Sequence, residues 1–398
     1  MGKIILKKGR EESVKRFHPW IFSGGILKNE GKINEGDLVE VLSFGGETLG
    51  WGHFQIGSIA VRMLSFGEEV PGRDFWKKRL TAAYKLREST GLIREDNNAY
   101  RLIHGEGDSL PGLIVDIYND TAVIQAHSAG MFLSRNEISQ ALTEVYGDKI
   151  KAVYDKSAAT APFKAGLELN DTYLYGSQST HGSVLENGKI FLIDWETGQK
   201  TGFFLDQRDN RALVGSYSAG RRVLNLFCYT GGFSIYALAS GAASVDSVDS
   251  SRKAVDMLER NIEANREAGI IPAGTKHESY CEDAIEFMRN SGDNKYDLII
   301  VDPPAFAKHR GALPNALRAY QKLNAAAISR VAPGGIIFTY SCSQVVDKIS
   351  FAEAVFSAAA STGRNVRILH RLTQPADHPV NIYHPEGEYL KGLVIYVE

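Results

Sequence analysis

Val223-Leu224-Asn225-Leu226-Phe227-Cys228-Tyr229-Thr230-Gly231-Gly232-Phe233 runs from an apolar strand, 223–227, through a glycine pair into an apolar helix over 232–240. The alternation then repeats to the end of the chain. Strands are expected at 244–248, 277–281, 298–301, 336–340, 366–369 and 393–397, and helices at 252–268, 283–290, 316–331 and 350–362. Strand and helix in regular succession build a doubly wound α/β sheet covered on both faces. Its ligand crevice is expected at the carboxyl ends of the first, second and fourth strands.

Upstream the pattern differs. Short alternating stretches broken by glycine, at 3–6, 37–42, 49–54 and 59–64, predict a small β-barrel over residues 1–70. Lys7, Lys8, Arg10, Lys15 and Arg16 precede Phe17-His18-Pro19-Trp20-Ile21-Phe22. That mixture suits contact with an RNA backbone and its bases, although it also reads as a charged surface beside a packed aromatic cluster. Residues 71–188 read as a small α+β unit, with a helix over 75–89, a hairpin of 113–118 and 121–126 around Asn119-Asp120, and a helix from about 132 to 146. Residues 189–398 form the third domain.

With 398 residues and 43% hydrophobic content, the chain is globular and too long for one ordinary core. A net charge of -2 excludes a uniformly basic coat, so a nucleic-acid site must be a local patch. Cys228, Cys281 and Cys342 make an odd set without disulfide-framework spacing, which favours a reducing compartment. No signal peptide is read at the N-terminus, and no apolar run approaches the roughly 20 residues a membrane span needs. The expectation is a cytoplasmic protein with no metal site; a homodimer is left open.

Gly231 and Gly232 allow a tight turn and close approach of backbone to a ligand, but the G-x-G-x-x-G spacing of a dinucleotide site is missing. Asp249 closes the second strand, where a carboxylate accepts from a ribose diol. Asp283 opens a helix after the third strand; it is placed to accept from an adenine amino group and equally to cap the helix. Asp302-Pro303-Pro304 follows the fourth strand and Tyr340-Ser341-Cys342-Ser343 ends the fifth. If those strands are parallel neighbours, a carboxylate and a thiol face one crevice.

In these features the chain resembles the class I S-adenosylmethionine-dependent methyltransferases, with Asp302-Pro303-Pro304-Ala305-Phe306 similar to their fourth motif. Thr197-Gly198-Gln199-Lys200-Thr201-Gly202-Phe203-Phe204-Leu205-Asp206-Gln207-Arg208-Asp209-Asn210 resembles the signature of the RlmI-like large-subunit rRNA 5-methylcytosine methyltransferases. Tyr100-Arg101-Leu102-Ile103-His104-Gly105-Glu106-Gly107-Asp108 resembles their central EEHEAD-type domain. The resemblance implies a PUA-like barrel, that central domain and a Rossmann-like methyltransferase domain. It also implies that Phe204, Asp206 and Arg208, with Asn225, Phe227, Tyr229, Thr230 and Gly231, hold the methionine end of S-adenosylmethionine. Asp249, Ser250, Asp283 and Ala284 would hold the adenosine. Asn225 stands where many methyltransferases carry an acid, so the cofactor's amino group needs another acceptor, Asp206 or Asp302.

Cytosine C5 is too weak a nucleophile to take a methyl group unaided, and a thiolate adding to C6 makes it enamine-like. Cys342 is the expected nucleophile, at an ordinary pKa near 8.5, and Asp302 the expected contact to the N3 and amino edge of a flipped base. Ala305 and Phe306 follow the prolines where a second cysteine stands in some RNA cytosine methyltransferases, implying a one-cysteine route. Cys228 and Cys281 read as packing residues. Pro303, Phe306, His378, Lys7, Arg10 and Arg16 are the expected substrate contacts, with large-subunit rRNA as partner. Direct methyl transfer to guanine or another substrate, and a non-catalytic RNA-binding factor, remain as alternatives.

Overall fold

A computed structural model describes residues 2–72, 74–162, 166–177, 182–291 and 296–398. The chain divides into two compact units: Met1–Leu185 with Ile193–Leu205 and Ala376–Gly387, and Glu186–Leu192 with Asp206–Pro375 and Glu388–Glu398.

The first unit begins with β1 (Gly2–Leu6), α1 (Glu12–Lys15), β2 (Trp20–Phe22), β3 (Ile26–Glu30), β4 (Leu38–Leu42), β5 (Thr48–Phe54) and β6 (Ile59–Phe66). They form one sheet in the order β2-β6-β5-β4-β1-β3, in which β1 and β4 are parallel. Inward residues Ile4, Leu6, Val39, Val41, Val61 and Met63 share a core, as period-two alternation requires.

Helix α2 (Phe75–Ser89) leads to β7 (Ala99–His104), β8 (Leu113–Tyr118), β9 (Thr121–Ala126), α3 (Ala129–Leu133), α4 (Arg135–Tyr146), β10 (Ala152–Asp155) and β11 (Thr172–Tyr175). The sheet order is β11-β10-β9-β8-β7. The β8–β9 hairpin turns on Asn119, whose φ of 56° is one that asparagine tolerates. Arg87 of α2 is buried and forks onto Asp108, and Asp108 also accepts His104 N at 2.6 Å. A buried guanidinium needs such a bidentate partner. Thr201 lies in this unit and donates to Asp116 at 2.5 Å. Thr201 therefore anchors the 197–205 stretch to β8.

Short strands β12 (Ser183–Glu186) and β13 (Lys189–Leu192) make a two-stranded ribbon. The second unit then runs α5 (Arg208–Ser218), β14 (Arg222–Leu226), α6 (Gly232–Ala239), β15 (Ser244–Asp249), α7 (Arg252–Glu267), β16 (Lys276–Cys281), α8 (Ala284–Asn290), β17 (Tyr296–Val301), α9 (Leu313–Arg330), β18 (Val331–Ser341), α10 (Lys348–Thr362), β19 (Val366–Leu372) and β20 (Lys391–Val397). Sheet order is β16-β15-β14-β17-β18-β20-β19, with β20 antiparallel to both neighbours. This is the expected Rossmann-like sheet. Its order reverses at β14, where β15 and β17 lie on opposite sides, and the switch point opens a crevice at the strand ends. Leu224, Leu226, Ile299 and Val301 are fully buried beneath it, which explains why these strands read as continuous apolar runs.

Candidate active site

At the end of β14 the chain makes a constrained turn. Phe227 and Tyr229 adopt positive φ of 58° and 47°, and Gly231 follows at 86°. A Cβ on Gly231 would sit 2.0 Å from Leu258 Cδ1, so only glycine fits between the loop and α7. Asn261 Nδ2 donates to Thr230 O at 2.9 Å and holds the loop from the same helix. Two non-glycine residues in left-handed backbone mark a shape imposed by the surroundings.

Asp249 at the end of β15 accepts Tyr229 N through Oδ2 and Ser251 N through Oδ1, both at 2.9 Å. Each oxygen keeps a lone pair for a further donor. Ser250 is exposed beside it, and its carbonyl accepts from the Cys281 thiol at 3.5 Å. Asp283 caps α8, taking Ile285 N and Glu286 N on Oδ1 at 2.9 and 3.1 Å. Its Oδ2 has no hydrogen-bond donor among the described residues. Ala284 is the buried first residue of α8.

Asp206 begins the second unit's Asp206–Pro375 stretch, just before α5. Tyr389 donates its hydroxyl to Asp206 Oδ2 at 2.6 Å, while the buried Oδ1 has no hydrogen-bond donor among the described residues. Asn225 Nδ2 donates to Ser234 Oγ at 2.8 Å, and its Oδ1 is likewise buried without a donor among the described residues. Orphaned buried acceptors are costly, and an α-ammonium group is the complement they lack. The residues present therefore fit S-adenosylmethionine, whose α-ammonium group is a donor of the kind the buried Asp206 Oδ1 and Asn225 Oδ1 lack. Arg208 points to Glu186 at 3.7 Å, and Arg211 forks onto the same carboxylate at 2.8 and 2.6 Å. Phe204 lies in the first unit, half-buried.

Asp302 and Cys342 directly follow β17 and β18, which are parallel neighbours with Val301 opposite Thr339. Asp302 accepts from Gln207 Nε2 at 3.1 Å. Burial, then the neighbouring Asp206 charge, push its pKa up to about 7, against the Gln207 bond. Cys342 Sγ lies 4.0 Å from the carbonyl oxygen of the buried Pro303. The loop carrying the thiol is pinned on both sides: Ser341 donates to the Tyr320 hydroxyl at 2.9 Å and Ser343 shares that hydroxyl at 3.2 Å. Phe306 packs on the same Tyr320 ring, centroids 4.8 Å apart.

The expectation of an ordinary thiol fails here. Burial, followed by the charges of Asp302 and Asp206, pushes Cys342 up to about 12, because a thiolate in a half-buried acidic recess loses solvation and faces repulsion. His378 also needs correction. It is 1% exposed, its Nδ1 is 3.0 Å from Asp377, and its ring packs 4.9 Å from His104. It is a packed structural histidine, and a substrate contact at that position has no surface to offer. Lys7, Arg10 and Arg16 are exposed, as are Phe17 and Phe22. The Phe17 ring packs, tilted by 50°, with its centroid 5.2 Å from that of the exposed Tyr383.

Sequence reading missed Gln207, Tyr389, Glu186 and Lys391. The last had a visible signal: a lysine heading an apolar strand. Among the described residues, no helix is long and apolar enough to cross a membrane.

The profile of the S-adenosylmethionine-dependent methyltransferase family matches residues 169–388, and that of a PUA-like domain matches residues 4–66. The chain is 42% identical to a protein of Aeromonas hydrophila named ribosomal RNA large subunit methyltransferase I, over 99% of each chain. A Shewanella amazonensis protein of the same name is 40% identical, again over 99% of each. A solved Streptococcus mutans structure described as a candidate SAM-dependent methyltransferase superposes with a TM-score of 0.82 at 24% identity, covering 100% of both chains. That last likeness concerns the fold.

Proposed function

Since the chain belongs to the S-adenosylmethionine-dependent methyltransferase family, alongside the large-subunit rRNA methyltransferases I, we propose that it methylates large-subunit rRNA at C5 of a cytosine through a covalent Cys342 adduct. The observation that carries this reading is the placement of Asp302 and Cys342 directly after the ends of parallel neighbours β17 and β18, with Cys342 Sγ 4.0 Å from the carbonyl oxygen of Pro303. A thiol has no task in direct transfer to a ring nitrogen; in attack on C6 it is the nucleophile.

Asp206 and the 225–231 turn would hold the methionine end of S-adenosylmethionine, and Asp249 and Asp283 its adenosine; when bound, it would supply an electrophilic methyl group. Asp302, poised near neutrality, donates a hydrogen bond to N3 in its protonated form. That withdraws electrons from the ring as the Cys342 thiolate adds to C6. The addition places electron density on C5, where the new carbon–carbon bond would form as the methyl–sulfur bond of S-adenosylmethionine breaks and S-adenosylhomocysteine leaves. Loss of the C5 proton to water then restores the double bond and expels the Cys342 thiolate. The target base must leave its stack to reach the recess. Lys7, Arg10 and Arg16 supply phosphate contacts, and Phe17 with Tyr383 offers a stacking surface.

The test is transfer of labelled methyl to unmodified large-subunit rRNA, comparing wild type with Cys342→Ala. Label recovered in 5-methylcytidine and lost in the variant supports the reading. Label in another nucleoside, or activity surviving the substitution, favours direct transfer.

A further inference from the structure

Lys391 is the first residue of β20, a strand that otherwise reads Gly392-Leu393-Val394-Ile395-Tyr396-Val397. It is 6% exposed. A lysine buried at the head of an apolar strand carries a large desolvation cost, and packing alone is served better by leucine or methionine. Its surroundings point to a task.

Two of the three ammonium hydrogens are placed. Nζ donates to Ser343 O at 2.6 Å and to Tyr389 O at 2.6 Å. The third has no acceptor among the described residues. The antiparallel register sets Lys391 opposite Ser341. The lysine is thus paired by strand register with the residue before Cys342 and bonded to the carbonyl of the residue after it. Tyr389, the other carbonyl it grips, is the side chain that holds Asp206.

We infer that Lys391 is a positioning residue for methyl transfer: it clamps the loop that carries Cys342 and supplies the cation beside which the thiolate forms. The inference rests on Cys342 being the nucleophile.

The electrostatics agree with the geometry. The thiol faces Asp302 and Asp206, both of which oppose its ionisation, and Lys391, which favours it. Lys391 in turn faces Cys342, Asp347 and Glu388, which favour its charge, and Lys348, which opposes it. Burial lowers the lysine to about 8. Each group is thus hard to charge alone, and each charge stabilises the other. When the thiol ionises, its proton leaves to solvent, and the ammonium keeps the recess from accumulating uncompensated negative charge.

The experiment follows iodoacetamide alkylation of Cys342 in the full-length protein between pH 6 and 11, read by mass spectrometry on the peptide that contains it. Wild type is compared with Lys391→Met, Lys391→Gln and Lys391→Arg, and calorimetric binding of S-adenosylhomocysteine reports whether each variant keeps its fold. In Lys391→Met the alkylation rate at pH 7.5 is expected to be about tenfold lower, and the gap to wild type to narrow as pH rises past about 8, where Lys391 gives up its charge. Lys391→Arg is expected to recover part of the loss. Lys391→Gln retains a donor for the carbonyls without the charge and is expected to behave like the methionine variant. Should the methionine variant fail to bind S-adenosylhomocysteine, the glutamine variant decides. A wild-type alkylation rate at pH 7.5 in a variant that binds normally would overturn the inference. Failure of the nucleophile reading appears separately, as methyl transfer that survives Cys342→Ala.

Discussion

Gln207 donates to Asp302 at 3.1 Å, and this bond is outweighed by burial of the carboxyl and the nearby Asp206 charge. The folded protein therefore holds a proton on Asp302 up to about pH 7, whereas an ordinary aspartate releases it near 3.8. Between those values the folded state binds more protons than the unfolded state, so stability from this group is full below about pH 4 and is lost as pH rises through 7. Asp302→Asn removes the penalty. The variant is expected to exceed wild type by about 2–4 kcal/mol at pH 8, with the difference vanishing near pH 4; urea denaturation across that range measures it. A difference independent of pH contradicts the assignment.

Tyr389→Phe removes the donor from Asp206 Oδ2. Loss of a hydrogen bond to a charged acceptor costs about 1.5–3 kcal/mol. Calorimetry with S-adenosylmethionine is expected to show binding weakened by about tenfold or more, because the freed carboxylate loses its orientation towards the ammonium group.

Gly231→Ala puts a methyl group into Leu258 and onto a backbone at φ 86°. Strain of this kind costs on the order of 1–3 kcal/mol. Because the same loop carries Thr230 and Tyr229, affinity for S-adenosylmethionine is expected to fall together with the denaturation midpoint. Unchanged affinity would mean that the turn does not touch the cofactor.

The exposed cations of the barrel lend themselves to a salt test. Replacing Lys7, Arg10 and Arg16 together by Ala is expected to reduce the slope of log affinity for rRNA against log salt by about 2–3. Methyl transfer at saturating RNA should persist. An unchanged slope would remove this face from the RNA contact.

The doubly wound sheet was legible because each of its central strands is buried on both sides and so appears as an apolar run. Pro333-Gly334-Gly335 hid the first half of β18, which begins at Val331. The helix expected over 132–146 is two helices separated at Ser134, and the first is capped by Ser128, whose hydroxyl accepts Met131 N. Asp302 and Cys342 could be read as neighbours because parallel pairing of successive strands brings their ends together. Gln207, Tyr389 and Lys391 could not, since they reach the same recess from segments about 95 and 48 positions away, through pairing that local pattern does not specify. The thiol's raised pKa was equally hidden, because it arises from enclosure and from Asp206, a residue whose proximity only the fold establishes.

The covalent adduct itself provides the most direct measurement. RNA carrying 5-fluorocytidine at the target position cannot lose a C5 proton after methylation, so expulsion of the thiolate stops and the protein stays bound to the RNA. Wild type with S-adenosylmethionine is expected to give a denaturation-resistant protein–RNA species whose cross-linked peptide contains Cys342, and Cys342→Ala to give none. Absence of that species from an enzyme that methylates ordinary rRNA, or its persistence in the alanine variant, would contradict the assignment of Cys342 as nucleophile.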